Sequence, residues 1–426
     1  MIREDFLQAC WKTGLLHKPD YILTDGRKLE VLNRGLHNSN NGPDFIQAKI
    51  RIDNTVWAGN IEFHIKSSDW LKHGHSKDPA YKNVILHIVW QHDTEIHLQD
   101  GDVLPCLELK NIISQKQLNN YVSLIQSLKE IPCEDSIKEV NSLAVHQMLH
   151  RTVVERIERK TERIQKILIE NNNDWFRAFY QTLFRNFGFK TNQHAFEELS
   201  TCLPIKIFDL LKDKPITSEA LLIGCSGLLF LDENADEYSR FLNEEFKFLQ
   251  HKYSLNTLSP TLWKFSKMRP YNFPFIRLVQ LASLLNRNYH LPARVLEAST
   301  VNDLIKLFNT NIPEYWKDHY KPGIQGKFLN NDLSKDSIDL LIVNTCVPFV
   351  FLYGKESGND DYCEKALSWL ENIKPENNNI IRHWRSIGIK PSNCFESQGL
   401  IELKESYCTK KKCLDCSIGF EILKKA

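Results

Sequence analysis

The chain has almost no charge of either sign in excess. Lys and Arg number 54 against 53 Asp and Glu, a formal net charge of +1 over 426 residues. No global field draws it to nucleic acid, so any polyanion-binding face must come from local asymmetry. It also lacks an apolar run approaching the roughly 18 residues of a membrane span. The longest apolar stretch, from Leu340 to Tyr353, is interrupted by Asn344, Thr345 and Pro348 and reads as a buried helix. The charged start, Met1 to Lys12, has no apolar core of signal-peptide length. No export signal and no membrane association are therefore expected, and the expected location is the cytoplasm. No repeat of fixed period is found.

Cysteine, by contrast, is not scarce: there are eleven. In a reducing compartment such residues, where clustered, point to metal rather than to disulfides. Hydrophobic residues at 42%, with 11% aromatics, exclude disorder for most of the chain. The length calls for two or three domains.

Apolar spacing predicts a helix over 4–16, with Glu4 and Asp5 suited to its first turn. Strand candidates follow at 29–35, 44–53, 55–66, 83–93 and 104–110, each apolar or β-branched and bounded by turn residues. The segment 67–82 has turn residues at both ends and room for a short helix. From Ser114 the pattern becomes helical. A long helix is expected over 140–171 and an aromatic-rich one over 174–189. The expectation is an α+β chain: an α/β domain over 1–112, a large all-α domain over 113–380, and a small Cys-rich tail over 381–426.

The chemistry concentrates in Asn41–Lys66. The turn Asn41-Gly42-Pro43 delivers Asp44 to a strand, and a second polar turn at Asp53-Asn54 leads into the next. Strand side chains alternate with period two, so Glu62, His64 and Lys66 share one face while Ile61, Phe63 and Ile65 share the other. A phosphodiester nuclease holds a hard cation on carboxylates, activates a water and offsets charge in the transition state. Asp44 and Glu62 suit Mg²⁺ or Mn²⁺. His64 suits a base or a further ligand, and Lys66 suits the water or the phosphate. The plain alternative is the solvent face of a half-buried sheet behind a turn aspartate.

This stretch resembles the PD-(D/E)xK nuclease superfamily. Pro43-Asp44 reads as its first acid and Glu62 as its second, and the element order over 4–93 is similar. The resemblance implies a restriction-endonuclease-like fold. It departs at the lysine: His64 stands two residues after Glu62, and Lys66 lies one strand step, about 6–7 Å, further on.

Two further clusters stand out. His64, His73, His75 and His87, with Asp69 and Asp78, suit a transition-metal site of His and Asp type, although His87, inside an apolar strand, reads as a core histidine. In the tail, Cys394, Cys408, Cys413 and Cys416 have the spacing C-x13-C-x4-C-x2-C. They suit zinc or an iron–sulfur cluster, with Lys410, Lys411 and Lys412 in the loop between them. The closing loop is similar to that of endonuclease-III-like DNA glycosylases, with a shorter first spacing and without their further downstream cysteine.

GPDF, GNIEFHIKSSDW, DPAYKNVILHIVW, RPYNFPFIRLVQLA and YCTKKKCLDCSIG together resemble an uncharacterised bacterial family, domain of unknown function 2851. That resemblance implies a shared fold and supplies no activity. The function expected from the residues is metal-dependent hydrolysis of nucleic-acid phosphodiesters. The alternative is a non-catalytic nucleic-acid-binding or scaffold protein with a structural metal in its tail.

Overall fold

The computed structural model describes residues 2–16, 20–98, 101–204, 207–229, 235–288, 290–327 and 331–425. It divides into two units. The first is Met1–Thr152 with Asn378–Lys390 and Leu400–Ala426; the second is Val153–Asn377 with Pro391–Gly399. The expected boundary near residue 112 is thus displaced, and the expected separate tail is absorbed. The reason is apolar. Leu400, Ile401, Leu403, Ile418, Ile422 and Leu423 are buried in the core of the first unit, where no small isolated tail could cover them.

The first unit opens with α1 (Glu4–Thr13), which buries Phe6, Leu7, Cys10 and Trp11 at helical spacing and ends on Gly14 in the left-handed conformation. Strands β1 (Asp20–Ile22), β2 (Lys28–Asn33), β3 (Leu36–His37), β4 (Phe45–Ile52) and β5 (Thr55–Lys66) follow. A crossover containing α2 (Asp69–Lys72) leads to β6 (Val84–Gln91) and β7 (Cys106–Glu108), and then to α3 (Gln115–Gln126). The sheet order is β1-β2-β4-β5-β6-β7, with β3 paired to β4. Pairing is antiparallel up to β5 and parallel for β5–β6 and β6–β7. β6 is buried from Val84 to Val89, as a strand covered on both faces must be. The short strands β1 and β3 carry too few residues to show a period in the sequence.

The helix α4 (Ser142–Glu170) begins in the first unit and continues into the second. The second unit is helical, as expected, apart from a small hairpin of His319–Lys321 and Ile324–Gln325. Its core is aromatic-rich, with Phe179, Phe184, Phe196, Trp316 and Phe349 all buried. Against the expectation that no run approaches the length of a membrane span, Lys335–Ser357 is long and apolar enough to cross one, but 78% of its apolar window is buried inside the protein. It packs as a core helix. Its π-type turns at Ile342–Cys346 precede Pro348, which has no N–H to give to a regular helix.

Candidate metal centre

The site begins with the β4–β5 hairpin. Asp53, at φ +50°, and Asn54 form a two-residue turn that pairs Ile52 with Thr55. A bulge between Phe45 and Ala48, with Gln47 at φ +59°, then shifts the register so that Phe45 faces Ile61. Asp44 is thereby set beside Glu62. Its N–H donates to Glu62 Oε2 at 3.1 Å, and its own Oδ2 accepts the N–H of Phe63 at 3.0 Å. From α1, the Gln8 side chain comes near enough to Asp44 to favour its charged form, and Glu4 lies near the N–H of Ile65 with Asp44 close enough to repel it. Three carboxyls therefore converge at one end of the paired strands.

The parallel step from β5 to β6 requires a crossover, and this crossover returns histidines over the sheet. Trp70, buried in α2, packs edge-on against His75 and His64 and donates to Ser76 Oγ at 3.0 Å. Gly74, at φ +75°, turns the chain between His73 and His75. Both then reach His64. The donor nitrogens of His64, His73 and His75 all lie within 4.8 Å of one another. His64 Nε2 is 3.1 Å from His73 Nδ1, and His64 Nδ1 is 2.9 Å from His87 Nε2. Glu62 Oε1 lies 3.5 Å from His75 Nε2 and 3.9 Å from His64 Nε2. Glu62 thus has the Asp44 backbone N–H on Oε2 and two imidazoles near Oε1, with the Asp44 and Glu4 carboxyls close enough to act on its charge.

The electrostatics fit a cation site. Burial, reinforced by the charges of Asp44 and Glu4, pushes the Glu62 carboxyl up to about 8. Burial also raises Asp44, against the hydrogen bond from Phe63 and the nearby Gln8 side chain, and raises Glu4, with Asp44 adding to the effect. Burial and the neighbouring His75 and His73 drive His64 down to about 3, and burial first of all does the same to His87. His75 is lowered by burial and by His73. His64, His75 and His87 are thus neutral at ordinary pH, the form that ligates metal. His75 Nε2 is buried without a hydrogen-bond partner. If His64 Nδ1–H donates to His87, the His64 Nε2 lone pair is left facing His73 and His75, and a metal would satisfy it.

Of the expected residues, Asp44, Glu62 and His64 come together and Lys66 does not. Lys66 shares their face but lies at the exposed end of β5, where its charge acts on Asp93 and its N–H donates to Asp69 Oδ2. Its exposure at the strand end sets it apart from the part-buried pairing of Asp44 with Glu62. Nothing in the sequence marks Glu4 and Gln8 as site residues, because an acid in the first turn of α1 suits the helix dipole wherever the helix packs. His87 is a core histidine, fully buried as expected, and it also orients His64. Cys394 likewise stands apart. It belongs to the core of the second unit, with Glu376 and Lys160 as charged neighbours, whereas Cys408, Cys413 and Cys416 belong to the first.

Residues 4–379 match the profile of a family described as Protein of unknown function (DUF2851). The chain belongs to that family. Every residue of the carboxylate and histidine site falls inside the matched span of this DUF2851 chain, and the tail cysteines fall beyond it. No curated protein and no solved structure matches it.

Proposed function

We propose that the first unit hydrolyses nucleic-acid phosphodiesters with a divalent metal held at Glu62. The observation that carries this reading is the position of Glu62, whose two oxygens face Asp44 on one side and His75 and His64 on the other. Asp44 and Glu62 would ligate the metal, with Glu4 beside them. The metal would lower the pKa of a bound water and offset charge on the phosphate. Imidazole donors favour Mn²⁺ or a later transition metal over Mg²⁺, which prefers oxygen and keeps its waters. The element order also supports the reading: a helix, antiparallel strands carrying the acids, a crossover helix and a parallel strand is the order that the PD-(D/E)xK resemblance implies.

A basic groove supports a polyanionic substrate. A cavity of about 610 Å³ is walled by Arg3, Lys12, Arg151, Lys410, Lys411 and Lys412, with Asp5 and Asp415 offsetting part of the charge. Gln8 and His37, both of which act on Asp44, line the same groove. Phosphate contacts along such a wall make binding salt-dependent.

The test is cleavage of single- and double-stranded DNA and RNA by the purified chain with Mn²⁺ or Mg²⁺. Asp44→Asn and Glu62→Gln should each abolish it. Cleavage that survives Asp44→Asn would sink the assignment. One observation favours the non-catalytic alternative: a buried neutral histidine, His64, occupies the lysine position, and Lys66 lies away from Glu62. Under that reading the groove binds nucleic acid and neither metal yields cleavage.

A further inference from the structure

The tail cysteines acquire a fourth partner that their spacing in the sequence does not reveal. Cys133, which follows Pro132 in the segment between α3 and α4, lines one small cavity together with Cys408, Cys413 and Cys416. All four are free thiols, each only 8 or 9% exposed. They are mutual neighbours: Cys408 feels the charge of Cys133, Cys413 and Cys416, and Cys133 feels that of Cys413 and Cys416.

The surrounding loop is built to hold them. Lys412 N–H donates to Tyr407 O at 2.9 Å and Lys411 N–H to Cys408 O at 3.1 Å, which closes the turn between Cys408 and Cys413. The N–H groups of Ile418 and Gly419, opening the Ser417–Lys424 helix, lie near enough to Cys416 to offset part of the burial that raises its thiol. Such backbone donors are what a thiolate ligand uses in its outer shell. Gly419 is required, because a Cβ there would meet Cys413 O at 2.1 Å. Arg151 and Lys411 add positive charge beside Cys416 and Cys413.

We infer that Cys133, Cys408, Cys413 and Cys416 form a four-thiolate centre for an iron–sulfur cluster, clasping the end of the chain onto the α3–α4 segment. The choice of cluster over zinc rests on spacing. A tetrahedral zinc with bonds of about 2.3 Å draws its sulfurs to about 3.8 Å of one another. Among the described residues, the histidine trio and not the thiols is the group whose donor atoms all lie within 4.8 Å. A [4Fe–4S] cluster, in which each cysteine ligates its own iron, holds all four sulfurs further apart than a single zinc does. Four cysteines from distant parts of the sequence line one cavity, with backbone N–H groups and two cationic side chains beside them, an arrangement that burial of separate reduced thiols does not require. The inference does not depend on hydrolysis at Glu62.

The experiment is anaerobic purification of the full chain, followed by metal and acid-labile sulfide analysis and visible absorption spectroscopy. Iron and sulfide should appear in equal amounts, with a broad absorption that dithionite bleaches. Cys133→Ser should lose the iron, and Cys394→Ser should keep it. Circular dichroism of Cys133→Ser should retain the helical signal, and Cys416→Ser, from the other side of the clasp, should repeat the loss. Zinc in place of iron, no metal at all, or iron retained by Cys133→Ser but lost from Cys394→Ser would each overturn the inference.

Discussion

Asp44 and Glu62 are held together by two hydrogen bonds: the Asp44 N–H donates to Glu62 Oε2 at 3.1 Å, and Asp44 Oδ2 accepts the N–H of Phe63, the residue after Glu62, at 3.0 Å. Neither carboxyl can swing away without stranding a donor. Asp44→Ala leaves the Phe63 N–H without its acceptor and should destabilise the first unit by about 1–3 kcal/mol. Asp44→Asn keeps an acceptor oxygen and removes a like charge next to Glu62, so it should cost less or stabilise. Urea denaturation of the metal-free chain orders the two variants, and an equal loss from both would contradict this account.

Metal-free stability should depend on pH through Glu62. Its carboxyl sits at about 8 in the folded chain against 4.5 unfolded. Folding therefore takes up a proton between those values, and stability falls as pH rises from about 4.5 to about 8. Above that range the loss is complete. His64 and His87, lowered to about 3 from 6.5, act in the opposite direction below pH 6.5, where the unfolded chain binds their protons. Glu62→Gln isolates the carboxyl. The urea midpoint of the native chain should drop relative to that variant across pH 4.5 to 8 and then stay level, whereas a constant difference would show an ordinary carboxyl.

His87 should matter to a bound metal without touching it, since its Nε2 lies 2.9 Å from His64 Nδ1 and fixes that ring. Loss of such an outer-shell partner costs about 10–100-fold in metal affinity. Competition with a chromogenic chelator for Mn²⁺ or Zn²⁺ should show that loss for His87→Ala and none for Lys66→Ala. Equal weakening by both would return the lysine to the site.

Gly59 controls the approach of β5 to the chain entering β6. A Cβ there would lie 2.5 Å from Asn83 O and 2.5 Å from Ile85 Cγ2. Gly59→Ala should cost about 1–3 kcal/mol by overpacking and, three residues before Glu62, should weaken metal binding as well. A thermal melt unchanged from the native chain would show that the strands can part at no cost.

The sequence by itself determined the parts of the site that local periodicity controls. Strands β4 and β5, the turn at Asp53-Asn54 and the common face of Glu62 and His64 follow from a period of two and two turns. β6 and the long helix α4 were legible for the same reason, as sustained patterns. Tertiary structure decided what lies beyond that range. The bulge at Gln47 sets Asp44 against Glu62, and α1 brings Glu4 and Gln8 from far along the chain. The parallel crossover folds His73 and His75 over His64. Lys66 shows the limit of the argument from period: alternation assigns a face but not a position along it, and one step carries the lysine past the site to Asp93. The cysteines show it over the whole chain. Cys394 is near the other tail cysteines in sequence and Cys133 is not, yet the burial of Ile418, Ile422 and Leu423 in the first unit's core brings the tail to Cys133 and leaves Cys394 in the core of the second. Apolar packing chooses partners by surface rather than by distance along the chain.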